Sequence, residues 1–123
     1  MLLKIVAEPS NPSNIALVGR LDSSTAPQLD EVLDRVLHGT PLSRLIFDLS
    51  RLEYLSSAGI RCFIRARKAI ESRGGKVAIV NPQPAVRKVL DIVKAIPAAG
   101  IFKDVAELDD YLDHIQKQVR EGD

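Results

Sequence analysis

Two short apolar runs, Leu45-Ile46-Phe47-Asp48-Leu49 and Lys76-Val77-Ala78-Ile79-Val80, each lead through a turn into a stretch whose apolar residues recur at three- and four-residue spacing. Strands joined through helices run parallel, and the sheet they form must be covered by those helices, so this alternation restricts the chain to α/β architectures. The run at 45–49 is broken only by Asp48, the pattern of a strand buried on both faces, with Asp48 near its carboxyl end and a turn at Ser50 and Arg51. A helix then begins at Ser56 or Ser57, places Ile60, Phe63, Ile64 and Ile70 on one face, and ends at Gly74-Gly75. After the run at 76–80, Asn81 is a cap, Pro82 sits in a first turn, and a helix carries Val86, Val89, Leu90 and Val93 until Pro97 breaks it.

Upstream, Leu2 to Val6 and Asn14 to Val18 are β-compatible runs separated by the turn formers Glu8-Pro9-Ser10-Asn11-Pro12-Ser13, which predicts a strand pair. Gly19-Arg20-Leu21-Asp22-Ser23-Ser24 leads into a helix marked by Leu29, Val32, Leu33, Val36 and Leu37. Thr25 caps its free amides while Gln28 reaches back, Pro27 suits the first turn, and Gly39 is the stop. Downstream, Ile101-Phe102 forms a short strand or an extended connection. Asp104 opens a last helix with Glu107 at capping-box spacing and a buried stripe of Val105, Leu108, Leu112, Ile115 and Val119. The order β-β-α-β-α-β-α-(β)-α predicts an α/β fold with a mixed central sheet of four to five strands covered by about four helices. It is read as a single domain over 1–123 with a core at about 2–119.

Composition narrows the function. The chain of 123 residues is 46% hydrophobic, enough for one self-sufficient core, and 17 basic against 16 acidic residues leave a net charge of +1. No global field draws it to nucleic acid or an anionic membrane. Cys62 is the single cysteine, which fits a reducing compartment and rules out an internal disulfide or a Cys-type zinc site. Met1-Leu2-Leu3-Lys4-Ile5-Val6 has no leader pattern, and no apolar run approaches the roughly 18 residues of a membrane span. The expectation is a cytoplasmic domain with no direct nucleic-acid partner and no membrane insertion.

The chemistry-bearing residues are few. His38 and His114 read as surface residues without a metal or general-base partner, so no metal and no cofactor is expected. No Walker loop or G-x-G-x-x-G is present. Asp48 at a strand end could accept a phosphoryl group in a receiver-type domain, but the first strand ends in Val6-Ala7-Glu8 without the acidic pair such chemistry needs. Asp48 is better read as a turn residue bonding local amides. Cys62 packs as a small apolar residue. Arg61, Arg65, Arg67 and Lys68 give the second helix a basic face that is either solvated or turned to an acidic partner.

The most informative stretch is Asp48-Leu49-Ser50-Arg51-Leu52-Glu53-Tyr54-Leu55-Ser56-Ser57-Ala58-Gly59-Ile60, which sets two hydroxyls at a helix start. One reading is capping, with Ser56 or Ser57 accepting a backbone N–H. The other is a serine displayed beside free amides, where the positive end of the helix dipole tolerates a phosphate.

This segment resembles the signature of STAS domains, particularly bacterial anti-sigma factor antagonists. Gly19-Arg20-Leu21-Asp22 resembles that family's G-x-L-D element, and Asp48-Leu49-Ser50 with Ser56-Ser57-Ala58-Gly59-Ile60 resembles its D-L-S and S-S-[AS]-G-[IL] elements. Gly74-Gly75-Lys76-Val77 and the Pro84-to-Leu90 helix also fit. The resemblance implies a non-enzymatic regulator that binds an anti-sigma factor/serine kinase and so regulates transcription by partner switching. It implies Ser57 as the phosphorylated residue, a PP2C-type phosphatase that reverses the mark, and a partner-binding surface at Asp22, Ser23, Ser24, Ser56, Ser57 and Gly59. Ser56 stands where many sporulation-type members have aspartate. A STAS module that acts as an unphosphorylated scaffold or transporter subunit is the alternative.

Overall fold

The computed structural model describes residues 3–8, 11–39, 43–95 and 104–122. The elements are β1 (Leu3–Glu8), β2 (Asn11–Leu21), α1 (Ala26–Gly39), β3 (Arg44–Leu55), α2 (Ser57–Glu71), β4 (Lys76–Val80), α3 (Pro84–Ala95) and α4 (Val105–Arg120). The sheet is mixed, in the order β1-β2-β3-β4: β1 pairs antiparallel with β2, and β2–β3 and β3–β4 are parallel. The α/β class, the sheet and the four helices match the expectation. Residues 101 and 102, read as a short strand, and Pro97 lie outside the described residues.

Side chains of a strand alternate between faces, and burial here follows that period. Ile15, Leu17, Leu45, Phe47 and Leu49 are fully buried and join Leu29, Leu33, Phe63, Ile70, Val86, Val89 and Leu112 from the helices in one core. The alternate residues of β2 and β3 are less covered, with Ala16, Val18, Ile46 and Asp48 half-buried, and on β1 Val6 is 42% exposed. β3 is therefore not buried on both faces, which corrects the reading of its apolar run. Its second face carries Ile46 and Asp48, only partly withdrawn from water, beside the exposed Arg44 and Ser50.

β3 also runs well past Asp48. Ala16 pairs with Asp48, Val18 with Arg51, Gly19 with Leu52 and Arg20 with Tyr54, so β3 gains one residue on β2 at each of two places. Such bulges bend a strand without ending it. The first lies where Asp48 Oδ1 accepts the Ser50 N–H at 3.0 Å, a local turn inside the strand rather than a chain reversal. The turn expected at Ser50 and Arg51 is this bulge. The first two strands likewise extend into the turn-forming segment, with Glu8 opposite Asn11.

The helices differ from expectation at their ends and on one face. α3 starts at Pro84, not near Pro82. Asn81 takes a left-handed φ of 56°, and the Gln83 carbonyl accepts the first helical bond, from Arg87 N–H at 2.8 Å. In α2, Cys62 and Ala66 are buried and Ile64 is 44% exposed, so the buried stripe is rotated from the one read from sequence. Gly75 cannot carry a Cβ, which would lie 2.2 Å from the Ser43 carbonyl oxygen where α2 hands over to β4. In α4 the Asp104 side chain accepts the Glu107 N–H at 2.9 Å, as the capping spacing predicts. Val105 is 53% exposed, however, and the buried set is Leu112, Ile115 and Gln116.

Gln116 is the polar residue the apolar periodicity could not reveal. Its Oε1 accepts the Leu55 N–H at 2.9 Å, and its Nε2 donates to the Leu55 carbonyl at 2.8 Å, both buried. One side-chain amide thus pairs the last residue of β3 as a neighbouring strand would. Buried amides left without partners cost about 1–3 kcal/mol each. Gln116→Ala should therefore lower unfolding free energy by about 2–4 kcal/mol in urea titrations, far beyond the few tenths of an exposed α4 substitution such as Lys117→Ala.

Candidate functional site

β2 and β3 end side by side, and each hands the chain to a helix start. Leu21 and Leu55 are register partners, and the Ser56 N–H donates to the Leu21 carbonyl at 2.9 Å. The start of α2 is thereby fixed against the turn that opens α1, which brings Asp22, Ser23 and Ser24 to the same edge as Ser56, Ser57 and Gly59.

In the first turn the organiser is Asp22. Its Oδ1 accepts from Ser24 N–H at 3.0 Å, Ser24 Oγ at 2.7 Å and Thr25 N–H at 3.2 Å. Thr25, expected to cap α1 with its hydroxyl, instead donates to the Arg20 carbonyl at 2.9 Å and accepts from Asp22 N–H at 2.9 Å. The buried Thr25 hydroxyl serves the chain behind it, and Asp22 supplies the capping carboxylate. Partial burial opposes the Asp22 charge, but the hydrogen bonds from Ser24 and Thr25 outweigh it and hold its pKa below the ordinary carboxylate range. Ser23 and Ser24 are exposed.

The start of α2 is capped from outside its own sequence. Ser56 is the N-cap by position, yet it is only 4% exposed and makes no side-chain cap bond; its Oγ is buried without a hydrogen-bond partner. Ser57, half-buried, donates its N–H to Asp109 Oδ1 at 2.8 Å and its hydroxyl to Asp109 Oδ2 at 2.9 Å. Neither serine accepts a local amide as simple capping requires. A carboxylate from α4 does the capping, placed by tertiary packing where no sequence spacing could show it. Gly59 is buried beneath: a Cβ there would lie 2.6 Å from Leu21 Cγ and Leu55 Cδ1. Its role at the site is to let α2 approach the two strand ends.

The surroundings are ordered by charge. The Arg20 guanidinium lies 3.8 Å from the Tyr54 ring centroid and 3.7 Å from Asp22 Oδ2. Burial first, and Asp113 next, push the Tyr54 pKa up to about 12. Of the basic residues on α2, Arg65 bonds Asp30 at 2.9 Å and also Asp34, and Arg67 bonds Glu71 at 3.2 Å. Arg61 and Lys68 stay on the exposed face. Cys62 is core: burial, with Asp30 beside it, raises its pKa to about 12, so it stays a thiol. His38 and His114 are exposed. Among the described residues no group of three or more His, Cys, Asp or Glu could hold a metal ion, and no helix is long and apolar enough to cross a membrane.

The STAS domain family model matches residues 5–108. An anti-sigma F factor antagonist of Paenibacillus polymyxa is 25% identical over 89 residues, 72% of this chain and 71% of its own. A candidate anti-sigma factor antagonist of Bordetella bronchiseptica, BtrV, is 35% identical over 77 residues, 62% of this chain and 65% of its own. The solved structure of the anti-sigma factor antagonist SpoIIAA in its unphosphorylated form superposes with a TM-score of 0.63 at 20% identity, covering 74% of this chain and 81% of that one. The phosphorylated form of SpoIIAA, a Bacillus cell fate determinant, gives 0.57 at 20% identity over 73% and 83%. The likeness to these two structures is one of fold.

Three stability tests follow. Ser56→Ala removes an unpaired buried hydroxyl and should be neutral or stabilising in thermal melts, in place of the about 0.5–2 kcal/mol loss of an ordinary N-cap. Gly59→Ala should cost about 1–3 kcal/mol by overpacking. The lowered Asp22 pKa stabilises the fold above the unfolded carboxylate value near pH 4, and that contribution is lost as pH falls through the lower folded value. Asp22→Ala should weaken the fold at pH 7 and narrow its difference from the parent protein in acid.

Proposed function

Because the chain belongs to the STAS domain family, we propose that it is an anti-sigma factor antagonist, a non-enzymatic regulator whose partner is an anti-sigma factor that is also a serine kinase. The names of its curated relatives support this role. The observation that carries the finer reading is Ser57: it occupies the first position of α2, half-buried, on the edge where exposed Ser23 and Ser24 also lie. Ser57 is the phosphoacceptor in this reading. The partner docks over the α1 and α2 starts, touching Asp22, Ser23, Ser24 and Ser57, with Ser56 and Gly59 forming the packed floor below.

A phosphoryl group adds about −1.5 to −2 charge and three acceptor oxygens. Set in the middle of a close-packed contact, it removes the fit and repels acidic groups, so a single ester switches affinity. A PP2C-type phosphatase restores the hydroxyl. The protein works in the cytoplasm, without cofactor or metal, and controls transcription through its partner rather than by touching DNA.

A second reading has one specific observation in its favour: the Ser57 hydroxyl is already engaged by Asp109, as a purely structural serine would be. In that case the domain is a STAS scaffold or transporter subunit that is never phosphorylated. Incubation with the anti-sigma kinase encoded in the same genome and ATP, followed by phosphopeptide mapping, separates them. The switch predicts phosphate on Ser57, abolished by Ser57→Ala and retained in Ser56→Ala. No incorporation, or phosphate elsewhere, removes the switch and leaves the scaffold.

A further inference from the structure

We infer that phosphate on Ser57 unhooks the first two turns of α4 while the rest of that helix stays docked, so the mark has a conformational output besides blocking a contact. The inference rests on Ser57 being the modified residue. It begins from the two bonds that Asp109 makes to Ser57, one to the N–H and one to the hydroxyl. Asp109 and the part of its helix that follows lie beyond the stretch matched by the family model, which ends at residue 108.

Transfer of the γ-phosphoryl group of ATP breaks the bond between the γ-phosphorus and the bridging oxygen. It forms the Ser57 Oγ–P bond and releases ADP, with the hydroxyl proton passing to solvent. Each consequence at Asp109 is unfavourable. The Oγ–H donor is gone, and both groups are then acceptors only. The phosphate competes for the Ser57 amide that Asp109 now holds, since a helix start is where anions bind best. Two like charges sit within the span of a hydrogen bond, and among the described residues no basic side chain forms an ion pair with Asp109 to offset them.

The response is local because α4 is fastened unevenly. In its first turns Val105, Ala106, Glu107 and Asp110 are exposed and Leu108 is half-buried. Further on, Leu112 and Gln116 are fully buried, Ile115 nearly so, and Gln116 holds Leu55 by two bonds. Asp109 is the hook for the first part, and Gln116 the anchor for the second.

The test uses full-length protein with phosphoserine placed at position 57 during translation, so it needs no kinase. A failed kinase assay sinks the proposed function, whereas unchanged exchange in the phosphoserine protein sinks the coupling to α4, so the two failures are told apart. Hydrogen exchange of the amides of residues 109–111, whose helical acceptors lie in the first turns, should rise about tenfold or more on phosphorylation. Exchange at residues 115–119 and in β3 should change less than about threefold. Asp109→Asn, which turns an acceptor into a donor for the phosphate, should return residues 109–111 of the phosphorylated protein toward the unmodified rate. An unchanged rate at 109–111, a rise shared by 115–119 or β3, or no recovery with Asp109→Asn would each overturn it.

Discussion

Leu55 is the residue on which the candidate site depends. Its backbone closes the parallel ladder with Leu21, and both its amide groups are taken by the buried side chain of Gln116. The next amide, Ser56 N–H, returns to Leu21. Strand end, helix start and the C-terminal helix are thus tied within a few residues of one another. Buried peptide groups must find partners, and here a glutamine supplies what a neighbouring strand would. Loosen that pairing, and the start of α2 has no fixed relation to the α1 turn or to α4.

From this tie the division of labour at the site follows. Gly59 and Ser56 are buried and set distance, with Gly59 allowing Leu21 and Leu55 to press against α2. Asp22 holds the adjoining turn with its own carboxylate. Ser57 alone combines a hydroxyl, partial exposure and a position where the helix dipole favours negative charge. Its neutral form is matched to the Asp109 carboxylate, while in the proposed switch an esterified form is matched to the helix amides instead. Two charge states of one side chain therefore prefer two different partners, which is the physical content of a switch.

The architecture was largely legible because it rests on periodicity. Leu29, Leu33 and Leu37, or Ile15 and Leu17, declare their element and their buried side without help from distant residues. What the sequence concealed depends on residues far apart in the chain or on irregular backbone. β3 continues through Ser50 and Arg51 because a bulge absorbs turn-like residues, and the alternation of burial slips by one there. Gln116 looks like a solvent-facing residue until Leu55 is opposite it. Ser57 and Asp109 are 52 positions apart, so the local grammar of caps credited the serines with a bond that α4 provides. Pro82 and Pro84 both suit a helix start, and the left-handed turn at Asn81 decides for the second. The resemblance to STAS motifs is what singled out Ser57 as a candidate, whereas its hydrogen-bond state could come only from the folded chain.

The central claim is that esterifying one hydroxyl reverses the protein's fit to its anti-sigma partner. Calorimetric titration of that partner with unmodified protein and with protein bearing phosphoserine at position 57 tests it most directly. The account predicts that phosphorylation raises Kd by about thirtyfold or more, corresponding to about 2 kcal/mol. Equal affinity for the two forms would contradict it.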